Sequence, residues 1–401
     1  MKTRRSIQAV RARLSALVAF ATVAGLCLAG LVPGSAVAVS RRKPSVATDI
    51  AYAKAQVARY RAVPKFVRPG PAFDISRVRG KSIAVIPDAS NTYDNTIEAQ
   101  MKKLAAKYGV KYREYPNQGE PTQWVAEMNE AIATHPNLII LNTALNPSEV
   151  LPEVKKAKAA GIPVMATHFF DQTYSESLHT RCGAPAKTCA AGVDAVVNAP
   201  FNTIARIEAD WIIADSKADA DVLVITTSDA ASAPGMLKAI KEELAAHCPS
   251  CKVTVLTLPV ATWESKIATD VSTAVTRNPR IHYILPEYDF GASFAAEGLT
   301  LAGKSDSVKI VSYNGTQSVL ALLEKGSSVA MEVGEPLDWL GYAFMDQAFR
   351  ILAGVKPLVN EHTPFRVFTR ADIAQTGTPP TVTGGYGNAY IAGYAKLWKT
   401  G

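Results

Sequence analysis

Short apolar runs alternate with longer segments of helical periodicity along most of this chain. The first half contains four runs typical of strands, at 82–86, 111–115, 138–142 and 164–167. Between them, apolar side chains recur every three or four residues, as at Ile97, Met101 and Leu104, which is the spacing of an amphipathic helix. Strands that are apolar throughout and separated by helices indicate a parallel sheet covered on both faces.

The same alternation restarts in the second half of the chain. Strand-like runs lie at 222–226, 252–256, 282–285 and 309–313, with helical segments around 236–246 and 265–276. The predicted fold class is therefore α/β, with two Rossmann-like lobes of similar length that each contain a parallel sheet. Ligands of open α/β sheets bind outside the carboxyl ends of the strands, so we expect a cleft between the lobes.

The N-terminus has the pattern of a secretory signal peptide. A basic start is followed by the apolar run 14–32 and then by Ala36-Val37-Ala38, a small-x-small cleavage site. We predict that 1–38 is a signal peptide and that the protein is exported, to the periplasm or the extracellular face of the membrane. A membrane anchor is one alternative. A lipoprotein is another, because Cys27 lies in the apolar run, although Leu26 stands where a lipobox has a small residue.

The basic excess of the chain belongs largely to this leader. The formal net charge is +8, but five of the 43 Lys and Arg residues lie in 1–38, which contains no Asp or Glu. The small remaining excess forms no basic stripe, which a nucleic-acid-binding surface requires. No nucleic-acid partner is expected.

Four cysteines follow the leader: Cys182, Cys189, Cys248 and Cys251. An even count in an exported chain indicates disulfides. Three connectivities are possible, and the simplest pairs Cys182 with Cys189 and Cys248 with Cys251. The second pair also fits a redox C-x-x-C motif, and four cysteines fit a zinc site. A redox pair normally opens a helix, whereas this pair follows a helix-like stretch and precedes a strand.

No reactive constellation is visible in the sequence. It contains no G-x-S-x-G turn, no H-E-x-x-H pair and no phosphate-binding glycine loop. The six histidines are scattered without metal-ligand spacing. We therefore predict no catalytic residue, no metal and no cofactor, and hence no enzyme.

Three segments carry a resemblance to a known family. They are 81–98 (KSIAVIPDASNTYDNTIE), 138–168 (LIILNTALNPSEVLPEVKKAKAAGIPVMATH) and 309–316 (KIVSYNGT). In their order and spacing, from 80 to about 356, the chain resembles the periplasmic solute-binding proteins of the ribose and galactose type, the substrate-binding components of ABC sugar importers. The resemblance implies a type I periplasmic binding protein, in which two lobes joined by a three-segment hinge close around a ligand.

This resemblance also implies a division of the chain. The N-terminal lobe comprises 80–198 and 336–361, and the C-terminal lobe comprises 199–335 and 362–385. An extension at 39–79 precedes them, and a tail at 386–401 follows. Because the end of the chain from 376 onwards is rich in Gly, Pro and Thr, we expect it to pack on the surface.

The site residues that the resemblance implies come from both lobes and from the hinge. They are Asn91, Thr92, Tyr93, His168, Phe169, Trp263, Tyr288, Asp289, Asn314 and Glu335. Aromatic rings in such a site pack on the C–H faces of a sugar, while amides and carboxylates form directed hydrogen bonds to its hydroxyls.

The sequence departs from the family pattern at two places. His168-Phe169 stands where aldose-binding members have an Asp-Arg pair, and an arginine expected around 232–234 is missing. The pocket is also unusually aromatic. These departures admit polyols, modified sugars or an aromatic compound beside a pentose or hexose.

The resemblance therefore predicts a monomeric protein that captures a small polar ligand, a sugar or polyol, and delivers it to the permease of an ABC transporter. An exported sensor of the same fold is an alternative, as is a binder of aromatic or acidic small molecules. A sugar-responsive repressor would begin with a helix-turn-helix and lack a leader, unlike this chain.

Overall fold

The computed structural model describes residues 45–171 and 192–399, without the side chain of Phe170. The predicted leader and the cysteines Cys182 and Cys189 lie outside these residues. Among the described helices, none combines the length and the apolar character needed to cross a bilayer.

The first sheet has five parallel strands in the order β2-β1-β3-β4-β5. The strands are β1 (Ser82–Pro87), β2 (Lys111–Glu114), β3 (Leu138–Asn142), β4 (Val164–Asp171) and β5 (Ala195–Ala199). Helices α2 (Thr92–Tyr108), α3 (Pro121–Ala133) and α4 (Leu151–Ala159) connect successive strands. Every residue of β3 is buried, as expected for a strand covered on both faces.

The second sheet has six strands in the order β11-β10-β9-β8-β6-β7. They are β6 (Asp221–Thr226), β7 (Lys252–Thr257), β8 (Ile281–Pro286), β9 (Lys309–Asn314), β10 (Val329–Gly334) and β11 (Arg366–Thr369). The strands are parallel except β11, which runs antiparallel to β10. Its helices are α5 (Phe201–Asp215), α6 (Ala233–His247), α7 (Trp263–Arg277), α8 (Asp289–Leu301) and α9 (Gln317–Lys325). The predicted α/β class with two parallel-sheet lobes is confirmed.

Helix α10 (Leu337–Leu352) returns the chain from the second sheet to the first lobe. Thirteen of its residues are buried, and Trp339, Phe344 and Phe349 belong to the hydrophobic core that also contains Ile83 and Leu138 of the first sheet. The chain then reaches β11 in the second sheet. The chain thus passes between the two sheets near 200, near 335 and between 353 and 365.

The extension contacts both lobes. Helix α1 (Val46–Arg59) buries Ala53 and Val57 in the core of the second lobe, and the ring of Tyr60 stacks on Phe365 with 4.3 Å between centroids. Six residues later, Phe66 packs edge-on against Tyr394, at 5.1 Å. The extension therefore adds a further crossing between the lobes.

The expectation that the end of the chain packs on the surface is wrong. Helix α11 (Ala389–Leu397) places Tyr394, Leu397 and Trp398 in the core of the first lobe, where each is at most 2% exposed. The aromatic side chains recur at helical spacing, and burying them is more favourable than leaving them in water.

Cys248 and Cys251 form a disulfide with 5.3 Å between their Cα atoms. Cys248 ends α6, and β7 begins directly after Cys251, so the pair has the structural position predicted from the sequence. Within the described part of the chain, no group of three or more His, Cys, Asp or Glu side chains is arranged to hold a metal ion.

Candidate functional site

The strand that carries His168 has an irregularity at this residue. The sequence predicts a strand ending at Thr167, whereas β4 continues to Asp171 and its register with β5 shifts between Thr167 and Asp171. His168 has a positive φ of 52°, a conformation that L-residues adopt rarely and that is often found at functional sites. The irregularity lies at the carboxyl end of the first sheet, facing the predicted cleft.

His168 belongs to a hydrogen-bond network that joins the two lobes. Its Nε2 lies 2.9 Å from Oε2 of Glu335, which follows β10. The hydroxyl of Tyr93, from α2, donates to the same oxygen at 2.6 Å. The hydroxyl of Tyr313, from β9, donates to it at 2.7 Å. One carboxylate oxygen thus accepts from side chains of both lobes, and three of the predicted site residues meet there.

The network favours an ionised Glu335. Its carboxylate is fully buried and His168 is 5% exposed. Burial raises the pKa of Glu335, but the charge and hydrogen bond of His168, with the two tyrosine hydrogen bonds, lower it, and the net result is a pKa below the ordinary value. Hydrogen bonds to a carboxylate are among the strongest in proteins, particularly away from water.

A second group of polar residues surrounds the turn after β9. Asn314 and Gly315 both have positive φ, 133° and 78°. The backbone N–H of Gly315 donates to Glu332 at 2.7 Å, and that of Thr316 donates to Asp289 at 2.7 Å. The strained turn is therefore fixed by two buried carboxylates. The amide oxygen of Asn314 in turn faces the backbone N–H of Asp289 at 3.4 Å, so these two predicted site residues also meet.

The predicted stacking residue, Trp263, lies in the core of the second lobe. Its side chain is 1% exposed, and its indole N–H donates to the carbonyl of Leu258 at 3.0 Å. Its ring stacks with those of Tyr288 and Phe290, with centroid distances of 6.2 and 6.1 Å. Tyr288 in turn lies 6.4 Å from Tyr313 of the interlobe network. Trp263 therefore supports Tyr288, while contact of Trp263 with a ligand remains a prediction.

The remaining predicted residues lie at the edge of this arrangement. Asn91 caps α2, since its Oδ1 accepts from the backbone N–H of Asp94 at 3.0 Å. Thr92 is an exposed residue of the first helical turn. Phe169 is buried beside His168 in β4. Asn91 and Thr92 are thus less integrated into the site than Tyr93, and their ligand contacts also remain predictions.

Sequence reasoning missed Tyr313, Glu332 and Ser232. Tyr313 immediately precedes Asn314 in KIVSYNGT, but it was counted only as part of the strand-like run at 309–313. Glu332 lies within an apolar strand, where a lone carboxylate is a signal of a buried polar contact. Ser232 bonds the hydroxyl of Tyr288 at 2.8 Å, and nothing in its local sequence indicated this partner.

Comparison with known proteins defines the class. A family model described as the periplasmic binding protein domain matches residues 83–356, more than half of the chain. This protein therefore belongs to the periplasmic binding protein family. No curated protein matches its sequence.

Solved structures share the fold at low sequence identity. An ABC transporter solute-binding protein from Agrobacterium vitis, bound with α-D-tagatopyranose, is 21% identical with a TM-score of 0.63, over 73% of this chain and 96% of that one. A glucose-galactose binding protein from Geobacillus stearothermophilus is 17% identical with a TM-score of 0.62, over 73% and 98%.

A third structure is a 5-methylthioribose transporter solute-binding protein from Thermotoga lettingae, in complex with 5-methylthioribose. It is 17% identical with a TM-score of 0.62, over 80% of this chain and 93% of that one. In all three comparisons the other protein is covered nearly completely, whereas at least a fifth of this chain lies outside the match. The resemblance stated from the sequence and its predicted fold are confirmed.

Proposed function

We propose that this protein is an exported solute-binding protein that captures a sugar or polyol between its lobes and delivers it to the permease of an ABC transporter. The observation that carries the proposal is the convergence of Tyr93 and His168 from one lobe with Tyr313 and Glu335 from the other. Sugar and polyol complexes among the structures with this fold support the ligand class, and the leader sequence supports export.

The geometry suggests how a ligand would be held. Opening the lobes separates Glu335 from the N-terminal-lobe donors Tyr93 and His168, because these groups lie on opposite sides of the cleft. A hydroxyl can donate to Glu335 and accept from His168 or Tyr93, so a polyhydroxylated ligand can replace the direct contacts. A ligand that contacts both lobes stabilises the closed form in proportion to its preference for that form.

Binding without catalysis fits these residues. The carboxylates of the site are held by backbone N–H groups, by hydroxyls and, at Glu335, by the imidazole of His168. We infer a transport role as a monomer, in which the closed form is the one that the permease recognises.

The test is a thermal-shift screen of the purified mature chain against sugars, polyols, sugar acids and aromatic acids, followed by calorimetry. A ligand that binds only the folded state raises the melting temperature by mass action. We expect a sugar or polyol to raise it, and Glu335→Gln to weaken that ligand at least about 10-fold through loss of a charged acceptor. If only aromatic acids bind, the sugar assignment is wrong.

Small-angle scattering distinguishes binding in the cleft from binding elsewhere. A cleft ligand reduces the radius of gyration of any open population, whereas a surface ligand does not. The exposed carboxylate of Glu297, on α8, provides a matched control, since Glu297→Gln removes one charge from the same lobe outside the cleft. This variant should retain the affinity of the unmodified protein.

A further inference from the structure

The carboxyl ends of the second sheet contain an unusual concentration of buried carboxylates. Asp289 and Glu332 accept from consecutive backbone N–H groups, those of Thr316 and Gly315, so their carboxylates are neighbours. The backbone N–H of Glu335 bonds the carbonyl of Asn314 at 3.2 Å, which brings a third carboxylate to the same turn. All three side chains are at most 1% exposed.

Basic side chains are scarce around this turn. In the described residues that follow β6, β8, β9 and β10, from each strand end to the start of the next helix, there is no Lys or Arg. His168 reaches the group from the other lobe, and its hydrogen bond to a carboxylate of this turn goes to Glu335. The guanidinium of Arg366, on the neighbouring β11, donates to the backbone carbonyls of Arg61 and Gly385 and to the side-chain oxygen of Gln375. Asp289 and Glu332 therefore have no basic partner in the described part of the structure.

Several buried polar atoms here have no N–H or hydroxyl partner among the described residues. They include Oε2 of Glu332, Oε1 of Glu335 and the hydroxyl of Tyr386. Tyr386 is an independent observation because it comes from the C-terminal segment and carries no charge. Its hydroxyl oxygen would lie 2.2 Å from a Cβ added to Gly334 and 3.4 Å from one added to Gly315. It therefore lies against the turn, beside the residues that carry the carboxylates, and is 1% exposed.

Acceptors of this kind suit a particular ligand chemistry. A buried carboxylate oxygen without a donor is costly, and an anionic ligand would increase that cost. An ammonium group supplies three N–H donors and a compensating positive charge. Tyr288 and Tyr313 add aromatic faces, which attract cations. A metal ion is a poorer candidate, since the described carboxylates have no metal-binding arrangement.

We propose that the ligand of this protein is an amino sugar or amino polyol, whose protonated amine binds beside Glu332, Glu335 and Asp289. The proposal rests on the proposed function, since it assigns the ligand class of the same cleft. Hydroxyls of the ligand contact Tyr93 and His168, and the amine distinguishes it from neutral sugars. Sugar acids and other anions are excluded by the same carboxylates.

Burial favours the neutral, protonated form of these carboxyl groups in the protein without ligand. Burial raises the pKa of Asp289 to about 6, although Ser312 and Thr316 lower it by hydrogen bonding. Burial, the charge of Asp289 and a hydrogen bond with the Asp289 side chain raise the pKa of Glu332 well above its ordinary value, although the backbone N–H of Gly315 lowers it. A cation placed beside them lowers both pKa values, because it favours the charged form.

The test compares ligands that share a skeleton and differ in charge. We would measure calorimetric affinities of the full mature chain for D-glucose, D-glucosamine and D-glucuronate, and for D-galactose, D-galactosamine and D-galacturonate. The expected result in at least one series is that the amine binds at least about 10-fold more tightly than the neutral sugar, the scale of one charge-assisted hydrogen bond. The acid should not bind.

Variants identify the groups responsible. Glu332→Gln keeps an acceptor for Gly315 N–H and removes the charge, so the preference for the amine should fall by about 10-fold. Glu335→Gln is a second variant should the first fail to fold, as judged by circular dichroism. The control Glu297→Gln should keep the full preference.

The outcomes separate the two proposals. Equal or tighter binding of the neutral sugar overturns the amine assignment and leaves the sugar-binding function standing. Binding of an acid alone overturns both. A preference for the amine that survives Glu332→Gln and Glu335→Gln also overturns the assignment, since the amine is then recognised elsewhere.

Discussion

The interlobe contact between His168 and Glu335 makes a quantitative prediction about stability. Both side chains are buried, and Nε2 and Oε2 are 2.9 Å apart. Removing one member of a buried charged pair typically costs about 3–5 kcal/mol. Glu335 retains two tyrosine donors, so we take the lower end. We expect His168→Asn to reduce the free energy of unfolding by about 3 kcal/mol, about 100-fold in the folding equilibrium.

Asparagine is the appropriate replacement because His168 has a positive φ, which Asn tolerates better than most residues. His362→Asn is the matched control: His362 also has a positive φ, 54°, but it is exposed. Urea unfolding followed by fluorescence and by circular dichroism gives the free energy where the two transitions coincide. The control should change the free energy by less than about 0.5 kcal/mol.

A double-mutant cycle with Glu335→Gln isolates the pairwise contribution. We expect the double variant to be more stable than the sum of the single costs predicts, by about 2 kcal/mol. Because the pKa of Glu335 is lowered in the folded state, its contribution is present above the ordinary carboxyl pKa and is lost as pH falls through the folded-state pKa. The coupling should therefore weaken as pH falls below the ordinary carboxyl pKa. Costs that add within about 0.5 kcal/mol at pH 7 would refute the ionic interpretation.

Three further results are expected. Gly393→Ala should destabilise the protein by about 1–3 kcal/mol because the added Cβ would lie 2.3 Å from the ring of Phe66, although helix propensity alone favours Ala. Adding Phe66→Ala in the same chain should relieve the clash. If Gly393→Ala is more stable than the unmodified protein in urea unfolding, the packing argument is wrong. The melting temperature should be higher at pH 5.5 than at pH 8, because burial raises the pKa of Glu98 and of Glu287 to about 8. The folded state therefore binds more protons than the unfolded state in this range, and stability falls as pH rises. A melting temperature that does not change with pH in calorimetric scans would show that these groups ionise freely. Trp263→Ala should lower the free energy of unfolding by about 3–5 kcal/mol, because its ring is fully buried. It should also weaken ligand binding by about 1–3 kcal/mol if the ring contacts the ligand. An unchanged dissociation constant in the folded variant would remove Trp263 from the site.

Local patterns in the sequence determined the architecture of this protein. The strands and helices of both lobes follow from apolar runs and helical spacing, because a strand covered on both faces and an amphipathic helix need particular residues at fixed short intervals. The position of the Cys248–Cys251 pair between a helix and a strand was evident for the same reason. Tyr93, His168 and Glu335 were identified through the family resemblance, since their places relative to strand ends follow from the order of elements.

Tertiary structure alone decided which of these residues meet. Tyr93 and Glu335 are 242 positions apart, and no local pattern encodes a contact over that distance. His168 reaches the network from the irregular part of β4, and Tyr313 joins it from β9 of the other lobe. The burial of Tyr394 and Trp398 likewise depends on the extension and α10, which supply the apolar surface that covers them. Such contacts depend on how distant elements pack, so only the folded chain reveals them.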